Sequence, residues 1–309
     1  MTTMEELRAL GAKEGLPGTL LDEVALPAVR LIVRPGEDVI GASRLGGLPD
    51  LPTHAMWPRW DAEAYDAREI ADAEARAHFS DYVRERLETL RRRAPRRSIP
   101  LSFLAQIDLR DLGGFDHGLP LPAVGHLYFF YELSEQPWGY CPTHRGASRV
   151  LFAPEGAALA RRQAPDDLGK EWILSRSTRV CATQVATIPT WPVDLDDETL
   201  ETYQNVQDEM SNEPEHQIGG HPDQIQGDMK RSCALVTKGV YLGGPPDIPR
   251  EELDRLAADA DEWKLLLQLV SDEDLGWMWG DLGNLYYWMR ASDIESGAWE
   301  AAWLELQCT

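Results

Sequence analysis

The chain has 309 residues, 43% of them hydrophobic, and a formal net charge of −22 at pH 7. That is enough apolar material for a substantial core, as one large domain or two of medium size. A membrane span is excluded, since no apolar run approaches the ~20 residues it needs, and the acidic balance disfavours nucleic-acid phosphates as a partner.

Residues 1–10 are polar and acidic without a signal-peptide pattern, so a cytoplasmic location is expected. Residues 4–13 read as a short helix, and the alternation Val29-Arg30-Leu31-Ile32-Val33-Arg34 reads as a strand ended by Pro35-Gly36. A turn follows, Leu45-Gly46-Gly47-Leu48-Pro49-Asp50. Its glycines permit positive φ, Pro49 fixes φ, and Asp50 can accept hydrogen bonds from backbone amides. The sequel, Leu51-Pro52-Thr53-His54-Ala55-Met56-Trp57-Pro58, is too proline-rich for regular structure and places an aromatic in a loop. Residues 61–97 change to Ala, Glu and Arg, with Ile70, Ala73, Ala77, Tyr82, Leu87 and Leu90 at helical spacing. They read as a helical insertion whose late arginines form a solvated end favoured by the helix macrodipole.

An antiparallel strand pair is expected at 101–109 and 126–133, and the irregular loop Trp138-Gly139-Tyr140-Cys141-Pro142-Thr143-His144 precedes strands at 149–152 and 177–187. Asp194-Leu195-Asp196-Asp197-Glu198 suits a helix N-terminus, and Leu200, Tyr203, Val206 and Met210 form one apolar stripe before Pro214. The second turn, Ile218-Gly219-Gly220-His221-Pro222-Asp223, stands in the densest cluster of polar side chains, from His216 to Asp228. Beyond it the chain reads as a strand at 233–236, an acidic helix at 250–262, and a buried strand at 263–270 with its partner at 284–290. A capping box follows at Ser292-Asp293-Ile294-Glu295, and a last strand at 303–307.

Both turns read aliphatic-Gly-Gly-x-Pro-Asp. Each precedes an apolar strand with a single Gln, Gln106 or Gln268, and then a matching segment, Gly125-His126-Leu127-Tyr128-Phe129-Phe130 or Gly283-Asn284-Leu285-Tyr286-Tyr287-Trp288. Three features in the same order point to internal duplication. The expected fold is α+β, two related halves with antiparallel β-sheets and flanking helices. An N-terminal helix and strand would occupy residues 1–41, the first half 42–190 with its insertion at 61–97, and the second half 191–309. The second half holds 26 Asp plus Glu against 7 Lys plus Arg, which makes either a solubility coat or a surface that attracts basic partners.

His216, His221, Asp223 and Asp228 lie within thirteen residues, but two histidines five apart in a loop have no fixed metal geometry. The alternative is that the aspartates bond turn amides and the histidines sit at the surface. Cys141 and His144 lack a second pair at ligand spacing, and the four cysteines, with Cys181, Cys233 and Cys308, never form a CxxC motif, so reduced, mostly buried thiols are expected. No metal or other cofactor is assigned. An amide inside an apolar strand costs free energy unless paired, so Gln106 and Gln268 each need a partner, for which the adjoining glycine turn is the candidate. Signatures of a nucleophile elbow, a Walker loop or a dinucleotide fold are missing. Trp57, Trp138, Trp277 and Trp279 fall in loops, where indole rings could stack on sugars.

Taken together, Ser43-Arg44-Leu45-Gly46-Gly47-Leu48-Pro49-Asp50-Leu51-Pro52 with Trp57-Pro58, Leu104-Ala105-Gln106-Ile107-Asp108-Leu109, Leu127-Tyr128-Phe129-Phe130-Tyr131, Ile218-Gly219-Gly220-His221-Pro222 with Gln226-Gly227-Asp228, and Trp279-Gly280-Asp281-Leu282-Gly283 resemble the YwqG-like family of uncharacterised bacterial proteins. The resemblance runs from about residue 42 to the end, with 61–97 as extra. It implies an α+β fold rich in antiparallel sheet and, because members occur near toxin and immunity genes, a binding role. It implies no established activity, and no catalytic residue is assigned. The candidate ligand or partner contacts are Gly46, Gly47, Pro49, Asp50, Trp57 and Gln106 in the first half. Those in the second are His216, Gly219, Gly220, His221, Asp223, Gln226, Asp228, Gln268, Trp279 and Asp281. The expected partner is a basic protein, bound without catalysis. Two alternatives are an enzyme or small-molecule-binding site near the two turns and carbohydrate binding through loop tryptophans.

Overall fold

Strands that alternate apolar side chains to both faces must be covered on both sides, and that requirement shapes the whole chain. The computed structural model describes residues 2–34, 36–37, 39–78, 80–192, 195–210 and 215–309. The expectations placed on Pro35, Asp194 and Pro214 lie outside the described residues. Helix α1 (Met4–Glu14), whose Thr3 and Glu6 form a capping box, and α2 (Gly18–Val24) lead into β1 (Leu26–Arg34). Strands β2 (Arg44–Leu45), β3 (Asp50–Pro52) and β4 (Arg59–Trp60) precede α3 (Glu63–Arg76) and α4 (Asp81–Arg93). Then come β5 (Ile99–Pro100), β6 (Ser102–Asp108), β7 (His126–Tyr131), β8 (Ser148–Ala153), β9 (Leu159–Arg161) and β10 (Thr178–Thr187). The remainder comprises α5 (Asp197–Glu209), β11 (Gln217–Gly219), α6 (Met229–Val236), α7 (Arg250–Leu256), β12 (Trp263–Val270), β13 (Asn284–Arg290), α8 (Ala291–Ser296) and β14 (Trp303–Gln307).

Ten strands form one antiparallel sheet in the order β14-β13-β12-β11-β1-β10-β2-β6-β7-β8. The fold is thus α+β. At the centre, β1 pairs with β10 from Leu26 opposite Thr187 to Arg34 opposite Arg179. The other edge of β1 takes β11, and the other edge of β10 takes β2. The two wings match in detail: a bulge between Phe103 and Ala105 in β6 recurs between Leu265 and Leu267 in β12.

Bulges and twist curl the sheet until its wings meet. Phe129 of β7 lies edge-on to Tyr287 of β13 at 5.1 Å, and Tyr287 donates to Phe130 O at 3.0 Å. The inner face of both wings forms one core, with Leu104, Leu127 and Phe129 from one side and Leu266, Leu285 and Leu304 from the other. Outward-facing side chains make two further cores. Tyr128 and Phe130 pack with Trp60 and Tyr65, whereas Tyr286 and Trp288 pack beneath α6. At the centre, α1 and α5 cover the sheet through Leu7, Tyr203 and Val206.

Several local expectations need correction. Residues 233–236 belong to helix α6, because Asp228 caps it by accepting from Lys230 N and Arg231 N. Asp50–Pro52 is a strand despite its proline, since it pairs with β9 at a short sheet edge. Ser292 lies inside α8 and caps nothing; the helix follows Arg290 directly. The insertion is a helical hairpin around Ala73, Leu87 and Leu90, but Tyr82 is 77% exposed. Its late arginines are not all solvated: Arg93 binds Glu135, and Arg96 grips the fully buried Asp66 at 2.7 Å.

Candidate functional site

The two glycine turns share their bonding pair for pair. Gly46 has φ 66° and Gly219 φ 71°, and a Cβ there would meet a backbone carbonyl, Arg176 O at 2.1 Å or His117 O at 2.0 Å. Only glycine fits such positions. Gln106 and Gln268 do bond the adjoining turns: Asp50 N donates to Gln106 Oε1 at 2.8 Å, and Asp223 N to Gln268 Oε1 at 2.8 Å. Their amide nitrogens return bonds to the same two aspartates and to Ala42 O or Glu215 O. Tyrosine hydroxyls from the residues directly opposite the two glutamines complete each set, Tyr128 donating to Asp50 O at 2.7 Å and Tyr286 to Asp223 O at 2.5 Å.

The turns differ in what covers the aspartate. Asp50 is fully buried between Arg44 at 2.6 Å and Arg161 at 2.5 Å, with Gly41 N on the same carboxylate. Strand β9 carries Arg161 and seals that turn. Asp223 retains a third of its side-chain surface, receives Arg30 at 3.0 Å from β1, and opens onto a cleft of about 380 Å³. Thr190, Gln207, His221 and Asn284 supply its polar walls, and Ile188 and Ile225 apolar ones.

The side-chain amide and imidazole donors in this cleft are committed among the described residues. Gln207 Nε2 donates to the carbonyls of Pro189 and Thr190, and Asn284 Nδ2 to Asp223 O and the Tyr286 hydroxyl. His221 Nε2 lies 2.8 Å from Val24 O and therefore carries the proton. Burial holds this imidazole neutral by pushing its pKa down to about 4. What remains is a set of acceptors: the amide oxygens of Gln207 and Asn284, His221 Nδ1 and the Asp223 carboxylate. Arg30 is itself occupied by Asp223 and Glu215.

The other candidates scatter. His216 is buried, accepts from Val270 N through Nδ1 and points Nε2 at Asp272, 3.4 Å away. Asp228 is the helix cap, Gln226 is exposed and donates to Cys308 O, and exposed Asp281 offers its carbonyl to Thr309. Gly47, Pro49 and Gly220 shape their turns, with Pro49 buried. Trp277 and Trp279 are 2% and 1% exposed, so they are core and not stacking surfaces, and Trp57 is half-buried with its indole bonded to Leu101 O. Cys141, Cys233 and Cys308 are buried and Cys181 is exposed. Among the described residues no group of three or more His, Cys, Asp or Glu side chains could hold a metal ion, and no helix is long and apolar enough to cross a membrane.

Residue reading missed Arg30, Arg44 and Arg161, whose signal is the need of a buried carboxylate for a cation. It also missed Gln207 and Thr190, which carry no local signal. The family described as domain of unknown function (DUF1963) matches residues 43–308. No curated protein matches the chain.

Proposed function

The chain belongs to the DUF1963 family, a domain of unknown function, and from the geometry of its second glycine turn we propose that it is a binding protein for a donor-rich, positively charged group. The observation that carries this reading is the contrast between two like-built turns: one is sealed by Arg161, and the other opens Asp223 and several leftover acceptors to a cleft. Acceptors without donors suit a ligand that brings its own protons, such as an amine or guanidine. Within the family, its motifs resemble the YwqG-like bacterial proteins, and the matched turns are the product of an internal duplication spanning 42–190 and 191–309.

The test is isothermal titration with spermidine, agmatine and arginine. Saturable binding to the native chain, lost in Thr190→Trp, which fills the cleft, and weakened in Asp223→Asn, is the expected result. Absence of binding to all three argues against a small-molecule cation. A second reading, an immunity-type role against a basic protein, draws on the second half's excess of 26 acidic over 7 basic residues. Carboxylates could then occupy the places of nucleic-acid phosphates on that partner. It requires a complex that dissociates steeply with salt; a salt-insensitive complex counts against it.

A further inference from the structure

A second cleft lies under the α3–α4 hairpin, remote in sequence from the second glycine turn. It has two lobes of about 340 and 320 Å³ that share Glu69, Arg86 and Tyr140. Each lobe reaches the size of small-molecule sites, roughly 300–1,000 Å³.

Two of the acidic groups in its lining are paired with arginines, while Arg76 forms no ion pair among the described residues. Glu135 accepts from Arg86 at 3.0 Å and from Arg93, and Asp72 pairs with Arg68 at 3.7 Å. Burial pushes the Glu135 carboxyl up, but the Arg93 and Arg86 guanidiniums bring it below the usual range. Glu69 differs. Its side chain is 27% exposed, its nearest cation is Arg86 at 3.8 Å, and burial pushes its carboxyl above the usual range. Among the described residues it receives no hydrogen bond, so a half-desolvated carboxyl stands in the shared wall of both lobes with unused acceptor capacity.

Aromatic rings flank it. Tyr140 is held edge-on by His144 at 5.0 Å and by Tyr241 at 5.9 Å, which fixes it as a rigid wall. Trp138 is 39% exposed at the lobe that also holds Tyr65. With one carboxylate and one guanidinium left over, the lining offers both signs of charge and favours no strongly charged ligand. An exposed indole beside a carboxyl and a guanidinium offers what a pyranose ring presents: an apolar face to stack, and vicinal hydroxyls that both donate and accept.

We propose that the cleft between the helical hairpin and the Trp138–Tyr140 loop binds a neutral carbohydrate, with Trp138 stacking on a sugar ring and Glu69 accepting from its hydroxyls. This site is independent of the cation-binding cleft at Asp223. The experiment is isothermal titration, with tryptophan fluorescence alongside, of the full chain with maltohexaose, cellohexaose and chitohexaose, and with spermidine as the charged control. The expected result is saturable binding and quenching by at least one oligosaccharide. Affinity should fall at least about tenfold, as for loss of an interface anchor, in Trp138→Ala and in Glu69→Gln, and survive in Thr190→Trp. Cooperative urea unfolding checks that each variant is folded, and Trp138→Phe should restore part of the affinity. Failure of all three sugars to bind overturns the proposal, as does sugar binding that ignores Trp138 and Glu69 or is lost in Thr190→Trp.

Discussion

Asp50 and Asp223 sit at the same place in like turns, yet they are different objects physically. Asp50 has no exposed surface and is matched by Arg44 and Arg161. Replacing this carboxylate breaks a buried ion pair, which costs about 3–5 kcal/mol. Asp50→Asn should therefore lower the urea midpoint strongly, whereas Asp223→Asn, at a third exposed, should cost clearly less and show its main effect in ligand binding. Gly46 and Gly219 make a matched pair of a different kind. Alanine at either would carry a left-handed φ, about 1–2 kcal/mol, and press its Cβ onto a carbonyl at 2.1 or 2.0 Å, a further ~1–3 kcal/mol of overpacking. Equilibrium unfolding of both variants should show similar losses; a neutral Gly219→Ala would mean that the second turn relaxes freely.

The packing of α6 on β14 contains a titrating element. Glu305 faces α6, takes a long hydrogen bond from Cys233 at 3.5 Å, and burial raises its pKa from 4.5 to about 8. Its folded form thus holds a proton that the unfolded chain releases above pH 4.5. Between there and about pH 8 the native state binds more protons, so stability declines as pH rises, at up to about 1.4 kcal/mol per pH unit, and levels off above. Urea titrations across this range should show that slope in the native chain and a flatter one in Glu305→Gln. An unchanged slope would place the pH dependence elsewhere. The α3–α4 hairpin is an element of another sort, since Tyr65 and Asp66 anchor it at 6% and 0% exposure. Its periodicity was legible in Ile70, Ala73, Leu87 and Leu90, but its anchoring was not, because Glu135, which holds Arg86 and Arg93, comes from outside the segment.

At the scale of the molecule, β1 stands between β10 and β11 and so joins the wings of a single sheet. Residues 191–309 alone would lose β1 and expose β11 as an unpaired edge. The full chain should unfold in one cooperative transition by calorimetry and by fluorescence, and the isolated 191–309 fragment should show none; a cooperative fragment would mean that this half folds unaided. The sequence by itself determined the elements with short continuous apolar runs, such as β12 and β13, along with the paired turns and the Gln partners of both. Those features depend on local apolar runs, on backbone positions only glycine can occupy, and on the cost of an unpaired buried amide. Tertiary structure alone decided that Trp277 and Trp279 are core, that 233–236 is helical, and that one turn is closed while its counterpart is open. The reason is the curl of the sheet, which buries the loop tryptophans between the wings, together with Arg161, which reaches Asp50 across 111 residues of chain. Such contacts depend on where distant segments meet, and no local pattern of side chains encodes that.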